Sequence, residues 1–367
     1  MPNQVTPWEV TGNIDYDKLI KEFGTQSLDN KIISRLKKPM PAVLRRELYF
    51  SHRDLDKWLD AYNNKERVTI VSGRGPSAKM HIAHLIPFIT AKYFQDNYNC
   101  EVFIPLSDDE KYYVKPKLKY DEAEKFAEDN ILDLIAVGFN PNKTKIHRDF
   151  QYTTIYKYAA KIAKHTTFST AKAIFGLKNE SNIGWVFYPA VQSAHIYLPQ
   201  FLYGRHNTLV PIGIDQDPYM RILRDVAGHE ELNFIKPGAL HSKFIPGLSG
   251  NTKMSSSSEN DVVLLTDNEK TVENKIKKYA FSGGRDTIKE HREKGGNPDV
   301  DVSFQWLKMM FEEDDKKLKT IYDNYKSGQL LTSELKQILI DKINKFLKKH
   351  QENREKAKKL VDKFILT

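Results

Sequence analysis

Three short segments carry side chains suited to handling phosphate. The first is Gly73-Arg74-Gly75-Pro76-Ser77. Its glycines let bare backbone approach a ligand, and Pro76 suits a turn or a first helical position. A helix start aimed at a phosphate attracts it through free amides and the helix dipole. The spacing is neither G-x-G-x-x-G nor a P-loop, since no Gly-Lys-Ser/Thr follows; alone, it reads equally as a tight strand-to-helix turn. His81 and His84 come next, three apart and so on nearly one helix face. A metal pair would need a third ligand, and none is near in sequence. The other readings are a solvated or buried helix start, or neutral or cationic imidazoles donating to phosphate oxygens. The third segment, Lys253-Met254-Ser255-Ser256-Ser257, sits beside Gly247, Gly250 and Asn251. One ammonium next to several hydroxyls on a pliant loop is either an anion clamp or a solvated linker.

The elements that must hold these segments are legible in outline. Val68-Thr69-Ile70-Val71 is a β-branched run that precedes the glycine turn, and Ile82, Leu85, Ile86, Ile89 and Tyr93 follow at helical spacing. Strand, turn and helix make the first half of a βαβ unit. Val102 to Leu106 reads as a second buried strand ending in Ser107-Asp108-Asp109-Glu110, and Leu209 to Ile214 as a third ending in Asp215-Gln216-Asp217. Polar residues gathered just past strand ends are where open α/β sheets bind ligands. Lys145-Ile146-His147 and Val186-Phe187-Tyr188 read as further short strands, and Ile131 to Val137 as helix. Residues 1–64 read as a mostly helical extension, with Leu44, Leu48, Leu55 and Leu59 at helical spacing. From residue 258 onward Lys-rich helices dominate, and Leu335, Ile338, Leu339, Ile343, Phe346 and Leu347 form an amphipathic stripe.

Composition narrows the classes. Of 367 residues, 40% are hydrophobic and 29% charged, which excludes a disordered or fibrous chain. The formal charge of +9 favours an acidic partner such as nucleic acid. Residues 341–367 alone hold nine Lys or Arg against four Asp or Glu. Cys100 is the single cysteine, so neither an intramolecular disulfide nor a cysteine-built zinc or iron–sulfur centre can form. No secretory pattern opens the chain and no apolar run approaches the roughly 20 residues a membrane span needs. A cytoplasmic protein without a membrane partner is expected.

The order of the three segments resembles the class I aminoacyl-tRNA synthetases. His81-Ile82-Ala83-His84 is similar to their HIGH signature and Lys253-Met254-Ser255-Ser256-Ser257 to their KMSKS loop. Gly73-Arg74-Gly75-Pro76-Ser77, Asp108-Asp109-Glu110-Lys111-Tyr112, Phe175-Gly176, Gly213-Ile214-Asp215-Gln216-Asp217-Pro218-Tyr219 and Phe281-Ser282-Gly283-Gly284-Arg285-Asp286-Thr287 resemble the tryptophanyl-tRNA synthetases of archaea and eukaryotes, from about residue 65 onward. The resemblance implies an α/β fold with three parts: a helical extension (1–64), a Rossmann-like parallel-sheet catalytic domain (65–257) and an all-helical anticodon-binding domain (258–367), with room for the last helix to pack back on the catalytic domain. It implies ATP and Mg²⁺ as cofactors, L-tryptophan and tRNA(Trp) as partners, and a homodimer.

By the same resemblance, Lys253, His81, His84, Ser255 and Ser256 are catalytic. ATP meets Gly73, Arg74, Gly75, His81, His84, Lys253, Met254 and Ser255. Tryptophan meets Glu110, Gln192, Gln216 and Val71. Arg285 and Asp286 read the tRNA, and no resident metal is expected. Asp215 and Asp217 either orient Gln216 or close the strand end; Trp185 and Trp306 read as core. The sequence departs from the family at three positions. Ala83 stands where glycine is usual, while Val71 and Pro105 replace a tyrosine and a glutamine near the indole. A tyrosine-specific enzyme and a non-catalytic synthetase-like RNA-binding protein therefore remain open alternatives.

Overall fold

The computed structural model describes residues 4–5, 10–11, 14–254 and 259–367. Its frame is a seven-stranded sheet. A two-stranded hairpin, β1 (Gln4–Val5) and β2 (Val10–Thr11), stands apart from it. The main sheet holds β3 (Gln26–Ser27), β4 (Tyr49–Arg53), β5 (Val68–Val71), β6 (Glu101–Leu106), β7 (Thr144–Arg148), β8 (Asn207–Gly213) and β9 (Gly238–Ser242). Its order is β3-β4-β9-β8-β5-β6-β7. Strands β9, β8, β5, β6 and β7 run parallel, whereas β4 and β3 join antiparallel at one edge. The parallel part is the α/β, Rossmann-like body that the β-branched runs called for.

The topology sets the position of the site. From β5 the chain steps outward to β6 and β7, then returns to lay β8 against the other side of β5. The order reverses between β5 and β8, so the helices after these strands diverge and leave a crevice at the carboxyl ends. The Gly73–Gly75 turn follows β5 and the Asp215-Gln216-Asp217 turn follows β8. Both therefore open onto the same crevice.

Two expectations are corrected. Val186-Phe187-Tyr188 is not a strand but lies inside the helix Ile183–Tyr203. Asn182 caps that helix, its Oδ1 accepting from the Trp185 amide at 2.8 Å. Three residues are too few to separate periods of 2 and 3.6; the buried positions Trp185, Tyr188, Val191 and His195 show the helical one. Second, the segment 1–64 does more than add helices. Tyr49–Arg53, read as part of a helical leucine pattern, is β4, and it pairs with β9 through Ser51↔His241 and His52↔Leu240.

Helices dominate after residue 268, ending in Thr332–Ala357. That last helix lies against Tyr120–Ala136 of the α/β body. His350 Nε2 meets Asp133 Oδ1 at 2.9 Å, and Arg354 Nη1 meets Asp133 Oδ2 at 2.6 Å. Beyond it the Ile146 amide of β7 donates to Phe364 and the Leu366 amide to Ile146, both at 2.8 Å. One buried cluster runs from Leu44 and Trp58 through Ile70 and Phe94 to Trp306, Leu339 and Ile343. Trp306 is core as expected, its Nε1 donating to the Pro246 carbonyl at 2.9 Å.

Asp133 is fully buried and holds both His350 and Arg354 of the last helix, while Asp129 also meets Arg354. Asp133→Ala removes the His350 partner and one of the two carboxylates at Arg354, with Asp129 remaining, so we expect a loss of about 1–3 kcal/mol in urea unfolding. A loss below about 0.5 kcal/mol, the level of ordinary surface changes, would show that this ion pair does not hold the helix.

Candidate active site

A cavity of about 610 Å³ fills the crevice. Val71, Gly73, Arg74 and Gly75 line it from β5 and its turn, Pro105, Ser107 and Glu110 from β6 and beyond, and Asp215, Gln216 and Tyr219 from the end of β8. His81 and His84 lie along one wall, Gln192 and His195 on another, and Lys253 and Met254 close a third. The structure thus gathers all the described ATP- and tryptophan-site residues expected from the sequence. Ser255 and Ser256 lie outside the described residues. Arg285 and Asp286 are not among the lining residues; both are exposed in the helical region, where Arg285 Nε donates to the Gly295 carbonyl at 3.0 Å and Thr287 caps Ile288–Lys294.

The glycine turn works through proximity. A Cβ on Gly73 would stand 2.9 Å from Pro105 Cγ, and one on Gly75 would stand 2.2 Å from Lys111 Cε and 2.6 Å from Glu110 Oε2. The bare backbone lets the Glu110–Lys111 pair, 2.7 Å apart, close over the turn. Not every amide here faces a ligand: that of Arg74 donates to Pro105 and that of Ile82 to Val263. Arg74 Nε donates to Asn130 Oδ1 at 2.7 Å while the side chain lines the cavity. Burial pulls its pKa down to about 10, against the opposing fields of Asp133 and Glu110, so the guanidinium stays charged near neutrality.

His81 and His84 sit where a 3₁₀ turn, Ile82–Leu85, precedes the helix Ile86–Tyr98. In a 3₁₀ turn residues three apart eclipse, and the two rings stack with centroids 3.4 Å apart. Burial, with the charges of Arg74 and Lys253 nearby, brings His81 down to about 3 and His84 well below its ordinary value. The cationic reading is thereby corrected: both are neutral. The His81 amide donates to His84 Nδ1 at 3.1 Å, so the His84 proton is assigned to Nε2.

Three oxygen acceptors line the cavity. Gln192 Oε1 is buried without a partner, an orphan that a bound donor would satisfy. Gln216 Nε2 donates to Asp215 Oδ2 at 3.0 Å, which leaves Gln216 Oε1 as an acceptor. Glu110 supplies the carboxylate. Asp215 also holds Lys253 Nζ at 2.8 Å, so the lysine rests on a counter-ion. Of the two acids flanking Gln216, Asp215 orients it; Asp217 turns away to Arg53 and His241.

The family model for tRNA synthetases class I (W and Y) matches residues 63–348. The tryptophan–tRNA ligase of Sulfurisphaera tokodaii is 51% identical to this chain over 98% of its length and 94% of the relative's. That of Saccharolobus solfataricus is 50% identical over 99% and 96%. The chain belongs to the tryptophan–tRNA ligases of class I. Among solved structures, the tryptophanyl-tRNA synthetase of Plasmodium falciparum aligns with a TM-score of 0.87 at 41% identity, covering 96% of this chain and 97% of that one.

Sequence reasoning missed a second set of groups behind the cavity. His195 lines it, and its Nε2 lies 2.7 Å from Oδ1 of the fully buried Asp149. His147 packs beside His195 with centroids 5.5 Å apart. Among the described residues His147, Asp149 and His195 are the one grouping with metal-ligand spacing, but two imidazoles and one carboxylate do not suit an oxygen-seeking Mg²⁺. Asp109 faces Asp149 and accepts from Tyr156 Oη at 3.2 Å. The available signal was the three-residue spacing of Gln192 and His195 on one helix. Trp185, read as core, is buried and also lines the cavity.

Burial, with Asp149 opposite, pushes Asp109 up to about 9, so the folded chain holds a proton there at neutral pH. The unfolded carboxyl titrates near 3.9. The stabilisation is full below that value and is lost as pH rises toward 9, at up to about 1.4 kcal/mol per unit. Asparagine keeps the donor without titrating. The stability of Asp109→Asn relative to the parent should therefore rise steadily from about pH 5 to about pH 8 in urea unfolding; a flat difference would contradict the buried proton.

Proposed function

We propose that this chain ligates L-tryptophan to tRNA(Trp) through a tryptophanyl-adenylate, with ATP as co-substrate. A carboxylate oxygen of tryptophan attacks the α-phosphorus, the bond to the β-phosphate oxygen breaks, and pyrophosphate leaves. A hydroxyl of the tRNA's terminal adenosine then takes the acyl group and AMP departs. The observation that supports this best is the lining of the cavity: the acceptors Glu110, Gln192 and Gln216, the cations Arg74 and Lys253 and the neutral His81 and His84 share one crevice.

The nucleophile arrives charged, so no general base is needed. The work is to align two anions and stabilise charge spreading over phosphate oxygens. Neutral His84 offers its Nε2 proton without adding charge that burial would penalise, and the neutral imidazole of His81 stacks on it. Arg74 supplies a cation beside the glycine turn. Lys253 must leave Asp215 to reach a phosphate, and then both Asp215 and Gln216 are freed to adjust. Ala83, on the cavity wall, puts one methyl where the family has glycine. Glu110, Gln192 and Gln216 take the ammonium group, and Val71 forms part of the apolar wall for the side chain.

Magnesium, entering with the nucleotide, would supply neutralisation of the phosphate charge. Arg285 and Asp286 meet the RNA in this reading, supported by their exposure before a capped helix; unpaired bases are read at their edges. A homodimer in the cytoplasm completes the proposal, carried over from the family. No helix among the described residues is long and apolar enough to cross a membrane.

Lys253→Ala should lower kcat for adenylate formation by about a hundredfold or more, the scale for losing a charge-stabilising donor, while tryptophan binding measured by calorimetry stays within about threefold. Unchanged turnover would remove Lys253 from the reaction.

A further inference from the structure

Indole carries one polar group, an N–H that donates and cannot accept. Buried without an acceptor, it forfeits affinity. The two wall positions where the family holds tyrosine and glutamine are Val71 and Pro105, both lining the cavity. Neither side chain offers an acceptor.

The sheet register shows what stands beside them. Val71 pairs with Phe103 of β6, and Pro105, two residues on, pairs with His147 of β7. Alternate strand residues share a face, so this row lies on one side of the sheet. The helix Ile183–Tyr203 covers that side, with Val71, Phe103, Val191 and Ala194 in one buried cluster. Gln192 and His195 bring polar groups from that helix to the cavity.

We propose that His195 accepts the indole N–H at Nδ1, held in the required tautomer by Asp149, and is thus a specificity-determining residue of this chain. This rests on the adenylation reading above. Nε2 is committed to Asp149 Oδ1 at 2.7 Å. The tautomer is assigned from this contact, Nε2–H donating to the Asp149 carboxyl oxygen. A neutral imidazole donating at Nε2 carries its lone pair at Nδ1. Burial keeps His195 neutral, at about 4, despite the acids around it. Tyr156, donating to Asp109, holds the far end of the chain of groups.

The test is pyrophosphate exchange with tryptophan and with 3-benzothienyl-L-alanine, in which sulfur replaces the N–H. The parent should prefer tryptophan in kcat/KM by roughly tenfold to a hundredfold. His195→Leu should bring the two within about threefold while the KM for ATP holds, and His195→Gln, which restores an acceptor, should recover part of the preference. A parent without preference, or His195→Leu that keeps it, overturns the assignment whether or not other variants fold. A parent that exchanges with neither amino acid fails the adenylation reading itself, and the assignment with it.

Discussion

The site hangs on one buried carboxylate. Asp217 is fully buried at the first turn after β8, where Arg53 Nε meets it at 2.7 Å, Arg53 Nη2 at 2.8 Å and His241 Nε2 at 3.0 Å. Burial alone would raise its pKa, but Arg53 and His241 outweigh burial and hold it at about 2. Arg53 comes from β4 and His241 from β9, so one anion ties the amino-terminal segment and two strands to the turn that carries Asp215 and Gln216. A buried charge stripped of a partner costs several kcal/mol. The turn is therefore held in place by an interaction that tolerates little displacement, and the antiparallel edge is part of the site's foundation.

From that anchor the cavity gathers cations, neutral imidazoles and oxygen acceptors. The Arg74 cation lines it beside imidazoles kept neutral by burial, which can donate without repelling the neighbouring cations. Glu110, Gln192 and Gln216 bring oxygens to it, one of them the orphaned Gln192 Oε1. Lys253 is parked on Asp215 and lies within 5.2 Å of the Phe244 ring. A lysine with a resting partner can exchange it for phosphate as charge develops, which is the sense in which such a loop closes. Behind the cavity, Asp109, Asp149, His147 and His195 form a polar pocket floor.

How much of this was legible depends on the kind of signal. Glycine spacing, the paired histidines and the Lys-Met-Ser loop are local, so they stood out along the chain. Strands β5, β6 and β8 showed as β-branched runs ending in polar residues. Strand β4 did not, because Tyr-Phe-Ser-His-Arg lacks a clear alternation and gains its order from pairing with β9. The Val186–Tyr188 run misled because aromatic and β-branched residues also fill buried helices. His195 and Asp149 are 46 residues apart and meet only when β7 and the helix Ile183–Tyr203 are in place. Protonation states were invisible for the same reason: burial, which neutralises His81, His84 and Asp109, is a property of the folded chain.

The central claim is that this cavity activates tryptophan as an adenylate. The most direct measurement is ATP–pyrophosphate exchange run separately with each of the twenty amino acids. The account predicts exchange with tryptophan alone, Val71 and Pro105 notwithstanding. Exchange with tyrosine in its place would keep the chemistry and overturn the substrate, and exchange with none would contradict the enzyme outright.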